Sequence, residues 1–171
     1  MFSFLRLPSW SRHPGTGTSL GMAVDGKGVA GVLMRHAAGA KPRLLACHHF
    51  DGDQALGALS LWRSGQGQRR TTNNLLLSGD DYQLLPIETL DLPAHELTDA
   101  ARWKIKDMID FPAEEAAVAC VLVPAAEATR QVRHALAVAT PRKTVARWMR
   151  QARLAQCQPD SIDIPELALR N

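Results

Sequence analysis

The residues of this chain that could do chemistry are few, and their spacing works against most of it. Cys47-His48-His49 lies in a strand-length apolar stretch, where alternation puts Cys47 and His49 on one face and His48 on the other. A thiolate beside an imidazole could begin a metal site. Zinc asks for four donors, though, and no further Cys or His cluster stands at ligand spacing, so no metal is expected. Asp110, Glu114 and Glu115 flank a helix end. Acid–base work needs a carboxyl enclosed by apolar groups, and Glu114-Glu115 has no such enclosure, so these read as a solvated acidic loop. Ser78-Gly79-Asp80-Asp81 lacks the Gly-x-Ser-x-Gly elbow that would aim a nucleophile. No catalytic residue is expected, and the chain reads as a non-enzyme.

Binding is better represented than catalysis. Trp103 sits at helical spacing on the side away from the apolar stripe of Leu97, Ile105 and Met108, among Asp99, Lys106 and Asp107. An exposed Trp ringed by charge suits a partner segment, because large aromatic anchors dominate interface energies. Arg147 and Arg150 project with Arg153 from the polar face of a later helix, which could meet an acidic peptide or an anionic membrane surface. The net charge of +3 is spread along the chain and the aromatics do not interleave with a basic stripe, so nucleic acid is not an expected partner. Three cysteines, odd in number and without a CxxC, fit a reducing compartment. The apolar N-terminal stretch is too short for a signal or a span, and a cytoplasmic protein is expected.

The elements that must position these residues follow from periodicity. Residues 1–17 read as a flexible lead. Ser19–Val24, Val29–Arg35 and Arg43–His49 predict a three-stranded antiparallel meander, with Asp25-Gly26-Lys27-Gly28 as its first hairpin turn. Leu56, Leu59 and Leu61 predict a helix over Asp53–Trp62. Strands are predicted at Asn74–Leu77 and at Tyr82–Leu85, the second ended by Pro86. A helix is predicted from Pro93 to Asp110, stopped by Pro112, which disfavours the helical conformation in the residue before it. Two strands follow, Ala117–Val123 and His134–Ala139, joined by the polar segment Ala125–Arg133. Thr140-Pro141 then reads as an N-cap and first-turn proline. A short strand at Ser161–Ile164 leads to a helix opened at Pro165. The order is that of a mixed α/β protein with a mixed sheet.

Three stretches carry a family resemblance: Gly79–Leu85, Ala101–Glu115 (ARWKIKDMIDFPAEE) and Ile162–Asn171 (IDIPELALRN). Together, and in this order, they resemble the MshI proteins of the mannose-sensitive haemagglutinin pilus, relatives of PilM and of the cytoplasmic part of GspL. The resemblance runs from Leu20 to Asn171. It implies an actin-like fold: residues 18–92 in a ribonuclease H-like core lobe, 93–158 in a small α/β lobe inserted into it, and 159–171 returning to the core. Members of the family continue beyond the position of Asn171 into a second lobe, so the resemblance implies a chain truncated to the first half.

The resemblance also implies a function. It is that of a cytoplasmic scaffold in type IV pilus biogenesis, at the inner face of the inner membrane, binding the tail of a PilN- or MshJ-like bitopic protein. It raises ATP as well, because nucleotide-binding members cradle phosphate with an Asp-x-Gly-Ser/Thr loop after the first strand. Here that position holds Asp25, Gly26, Lys27 and Gly28, without hydroxyls and with an acid where phosphate would lie. No cofactor is therefore expected. Two other readings stand beside the scaffold: an ATP switch completed by a second chain, and a degenerate fragment with an uncovered apolar face.

Overall fold

The computed structural model describes residues 16–25, 27–67, 71–90, 92–123 and 132–170. The lead before residue 16, Gly26 and the segment 124–131 lie outside the described residues. Two compact units divide the chain: residues 1–78 with 147–171, and residues 79–146.

The first unit is built on a sheet of five strands. Strand β1 (Gly17–Val24) pairs antiparallel with β2 (Gly28–His36), and β2 pairs antiparallel with β3 (Arg43–Asp51). Helix α1 (Ala55–Gly65) then crosses to β4 (Thr71–Leu76), which lies parallel to β1. The meander and the crossover helix are where periodicity placed them. Alternation explains the packing: Leu20, Met22 and Val24 of β1 and Val29 and Leu33 of β2 are buried. Gly31 leaves the space that α1 fills, since a Cβ there would stand 2.6 Å from Leu59 Cδ1. Trp62 of the same helix meets Phe50 edge-on, with ring centroids 6.0 Å apart.

The second unit holds a three-stranded antiparallel sheet. Its strands, here β5 (Gln83–Leu90), β6 (Ala116–Leu122) and β7 (Val132–Pro141), run in the order β5-β7-β6. Helix α2 (Ala94–Ile105) covers one face, with Leu97, Ala101 and Ile105 buried against Ala116, Val118, Cys120, Ala135, Ala137 and Ala139. Small side chains on β7 let the helix approach closely, and each fully buried Leu or Ile contributes roughly 1.5–3 kcal/mol.

Helix α3 (Arg142–Leu154) leads back to the first unit. Gln156 takes a left-handed φ of 55°, and Cys157 N donates to Ala152 O at 2.8 Å, so the helix ends in a Schellman turn. The chain after it is strapped to β4: Asn73 N donates to Asp160 Oδ2 at 2.8 Å, Asp160 N to Asn73 O at 2.7 Å, and Asn73 Nδ2 to Gln158 O at 3.0 Å. That strap sets β8 (Ser161–Asp163) parallel to β4, giving the order β3-β2-β1-β4-β8, and α4 (Pro165–Arg170) follows.

Four expectations are corrected. Pro86 does not end a strand: it pairs with Leu136 inside β5, a sheet edge where a missing N–H costs no ladder bond. Because β5 pairs with β7, it belongs with the second unit, so that unit begins at Gly79 rather than at 93 and ends at Ala146 rather than 158. Thr140 and Pro141 belong to β7 and the helix opens at Arg142. The Thr140 hydroxyl, fully buried, donates to Asp81 O at 2.6 Å instead of capping. Helix α2 ends at Ile105, whose carbonyl accepts from both Met108 and Ile109 amides, and the turn there releases Met108 from the apolar stripe.

Candidate partner-binding site

The first hairpin turn shows where a phosphate loop would have to form. Asp25 Oδ1 accepts from Lys27 N at 2.8 Å and from Gly28 N at 2.7 Å, and Asp25 N donates to Gly28 O at 3.1 Å. These amide bonds hold the Asp25 carboxyl below its ordinary range. The two amides an anion would seek are thus engaged by the chain's own carboxylate. Gly28 is fixed for a separate reason: a Cβ there would lie 1.9 Å from Phe50 O.

His49 lies beside this turn, with Nε2 3.5 Å from Asp25 Oδ2 and Nδ1 3.3 Å from Asp51 Oδ1. His48 turns the other way and packs tilted against Phe50, with ring centroids 4.6 Å apart. Among the described residues no group of three His, Cys, Asp or Glu side chains could hold a metal ion. Burial pushes the Cys120 thiol up to about 11, which keeps it protonated and inert. Asp110 exchanges hydrogen bonds with the Gln83 side chain, accepting from its Nε2 and donating its own amide to Oε1 at 3.2 Å, while Glu114 and Glu115 are exposed.

Trp103 is 73% exposed on the outer face of α2, with Lys106 Nζ 5.5 Å from its ring centroid. Met108, freed by the end of the helix, adds an apolar side chain 49% exposed. The α2 cations on either side are engaged with strand carbonyls: Lys104 Nζ donates to Glu88 O, and Arg102 Nη1 to Ala116 O at 3.5 Å. Periodicity assigned Met108 to the core, and only the early helix end brings it out. Arg147 and Arg150 are exposed on α3, with the Arg147 guanidinium 5.0 Å from the Trp148 ring. Trp103 falls in the second unit and both arginines in the first. Gly26 lies outside the described residues. Among those residues no helix is long and apolar enough to cross a membrane.

No family model matches the sequence, and no curated protein matches it. Solved structures do. The PilM–PilN type IV pilus biogenesis complex matches with a TM-score of 0.70 at 20% identity, over 86% of this chain and 47% of that one. The cytoplasmic domain of EpsL, an inner membrane component of the type II secretion system of Vibrio cholerae, matches at 0.61 and 13% identity, over 86% and 57%. A Bacteroides thetaiotaomicron protein with an actin-like ATPase fold follows at 0.45 and 12%, over 90% and 54%, too distant to add weight. This chain spans about half the length of these structures. At such identities the likeness is one of fold: the mixed α/β, actin-like fold that the resemblance to PilM and GspL implied.

Proposed function

We propose that the chain is a non-enzymatic scaffold of type IV pilus biogenesis, of the MshI kind. In this reading it works at the cytoplasmic face of the inner membrane and holds the cytoplasmic tail of a PilN- or MshJ-like bitopic protein. The observation that carries the proposal is the fold match to the PilM–PilN complex over 86% of the chain. The exposed side chains of Trp103 and Met108 are of the kind such a tail would need. An unstructured tail loses about 1–2 kcal/mol per residue when ordered, so a few large anchors must offset that cost. The open ring face of Trp103 and the flexible Met108 side chain are of that type.

Turnover has little to work with in this geometry. The Asp25 carboxylate already occupies the Lys27 and Gly28 amides, and its charge opposes a phosphate there. The test is an anisotropy titration of a labelled peptide carrying the PilN-like tail, with the Trp103→Ala variant and an ATP titration in parallel. Saturable peptide binding that weakens at least tenfold in Trp103→Ala, about 1.4 kcal/mol or more, is the expected result. Saturable ATP binding without peptide binding would replace the scaffold with a nucleotide switch.

A further inference from the structure

Helix α3 carries Arg142, Lys143, Arg147, Arg150 and Arg153 and no acidic residue. Arg142 is engaged within the fold, its Nε donating to Ala116 O at 3.2 Å. At about 100° per residue, Arg147, Arg150 and Leu154 fall on one stripe opposite the buried Val145 and Ala152, with Arg153 on its flank. These three arginines and Leu154 are exposed, the leucine by 80%, and all belong to the first unit. Among the described residues neither Arg150 nor Arg153 has a carboxylate partner.

A helix face that meets only water gains from interleaved charge, because opposite signs three or four residues apart stabilise it and like signs destabilise it. The helix dipole accounts for Arg153, which lies in the last turn. It does not account for Arg147 and Arg150, like charges at i and i+3, or for a leucine left in water beside them. An anionic surface relieves that repulsion and accepts the leucine at its apolar boundary. The stripe from Arg147 to Leu154 runs about 10 Å along one side of a single helix. That shape suits a flat array of headgroups better than an acidic peptide, which needs a groove to lie in. We propose that this face of α3 rests on anionic lipid, with Arg147, Arg150 and Arg153 on the headgroup phosphates and Leu154 at the acyl boundary. The contact is with lipid itself and is separate from any protein tail held by Trp103.

Co-sedimentation of the full chain with vesicles of about 30% phosphatidylglycerol in phosphatidylcholine, beside vesicles of phosphatidylcholine alone, reads this contact directly. No tail peptide is present, so a negative result leaves tail binding at Trp103 untouched. The expected result is binding to the anionic vesicles only, lost between about 0.1 M and 0.5 M salt. Each cation near such a surface strengthens binding roughly fivefold, so Arg150→Glu with Arg153→Glu should weaken it about 25-fold or more. Arg150→Lys with Arg153→Lys should bind as the unaltered chain does, because the surface responds to charge. Leu154→Ser should weaken binding at unchanged charge. Lys41→Glu with Arg43→Glu makes the same change in net charge at exposed residues of the meander, and should weaken binding far less. No binding to anionic vesicles, an equal loss in the Lys41 and Arg43 variant, or binding that survives the double reversal on α3 would overturn the inference. So would saturable binding of a polyglutamate peptide by a chain that ignores the vesicles.

Discussion

The Asp25 carboxylate accepts from the main-chain amides of Lys27 and Gly28, the donors that an anion at the β1–β2 turn would need. That side chain was visible in the sequence as an acid in the wrong place for phosphate. Its amide bonds were not, because they depend on the turn's backbone path. Because the folded carboxyl lies below its ordinary value of 3.8, its contribution to stability is complete above that value and is lost as pH falls through the lowered one. Asp163 behaves in the opposite sense. Burial raises its carboxyl, against the lowering effect of the Ile164 amide, so the native state holds its proton more tightly than the unfolded chain. Stability on this account falls as pH rises from the ordinary carboxylate value through the raised one, and the deficit stays in full above it. Asp163→Asn keeps an acceptor for the Ile164 amide and removes the charge. Thermal melts of the variant between about pH 4 and pH 7 should show a higher melting temperature at neutral pH and a flatter profile. Gly28 and Gly31 separate two kinds of close approach. A Cβ at residue 28 meets the Phe50 carbonyl oxygen at 1.9 Å, whereas at residue 31 it meets the end of the Leu59 side chain at 2.6 Å. Urea unfolding should find Gly28→Ala costing roughly 3 kcal/mol or more and Gly31→Ala less, since a side chain can move where a strand cannot.

At the scale of elements, local patterning placed the meander, α1 and the helix at α2, because alternation and the helical period are properties of neighbouring residues. Partnership across the chain was not legible in the same way. Strand β5 passes through Pro86 because its partner β7 lies on one side only, and no local signal says which edge of a sheet a strand will take. Thr140 looked like a cap because its type and the proline after it suit one, yet its hydroxyl serves the carbonyl of Asp81, 59 residues away in sequence. Trp103 was placed correctly on the outer face of α2, whereas Met108 is exposed because the helix stops at Ile105. The Schellman turn closing α3 holds Gln156 at φ 55°, a conformation that L side chains resist. Gln156→Gly should therefore raise the unfolding free energy by about 0.5–1 kcal/mol in a urea titration. An unchanged midpoint would mean that the Gln156 side chain compensates through contacts of its own.

For the whole molecule, the fold match reaches across 86% of the chain but about half of the PilM–PilN and EpsL structures it resembles. The fold was legible early because three separate stretches carried the family resemblance in the right order. A candidate partner site was not, since a groove for an extended peptide would be made by backbone edges and a few anchors, and would leave no motif of fixed spacing. Trp103 is proposed to serve recognition without a structural role. Its ring is 73% exposed, so Trp103→Ala should change unfolding free energy by less than about 0.5 kcal/mol. The measurement that bears most directly on the central claim is the anisotropy titration of a labelled PilN-like tail peptide into the purified chain and into Trp103→Ala. Saturable binding to the unaltered chain, at least tenfold weaker in the equally stable variant and unaffected by ATP, is what a scaffold predicts. No saturable peptide binding to a folded chain would contradict it.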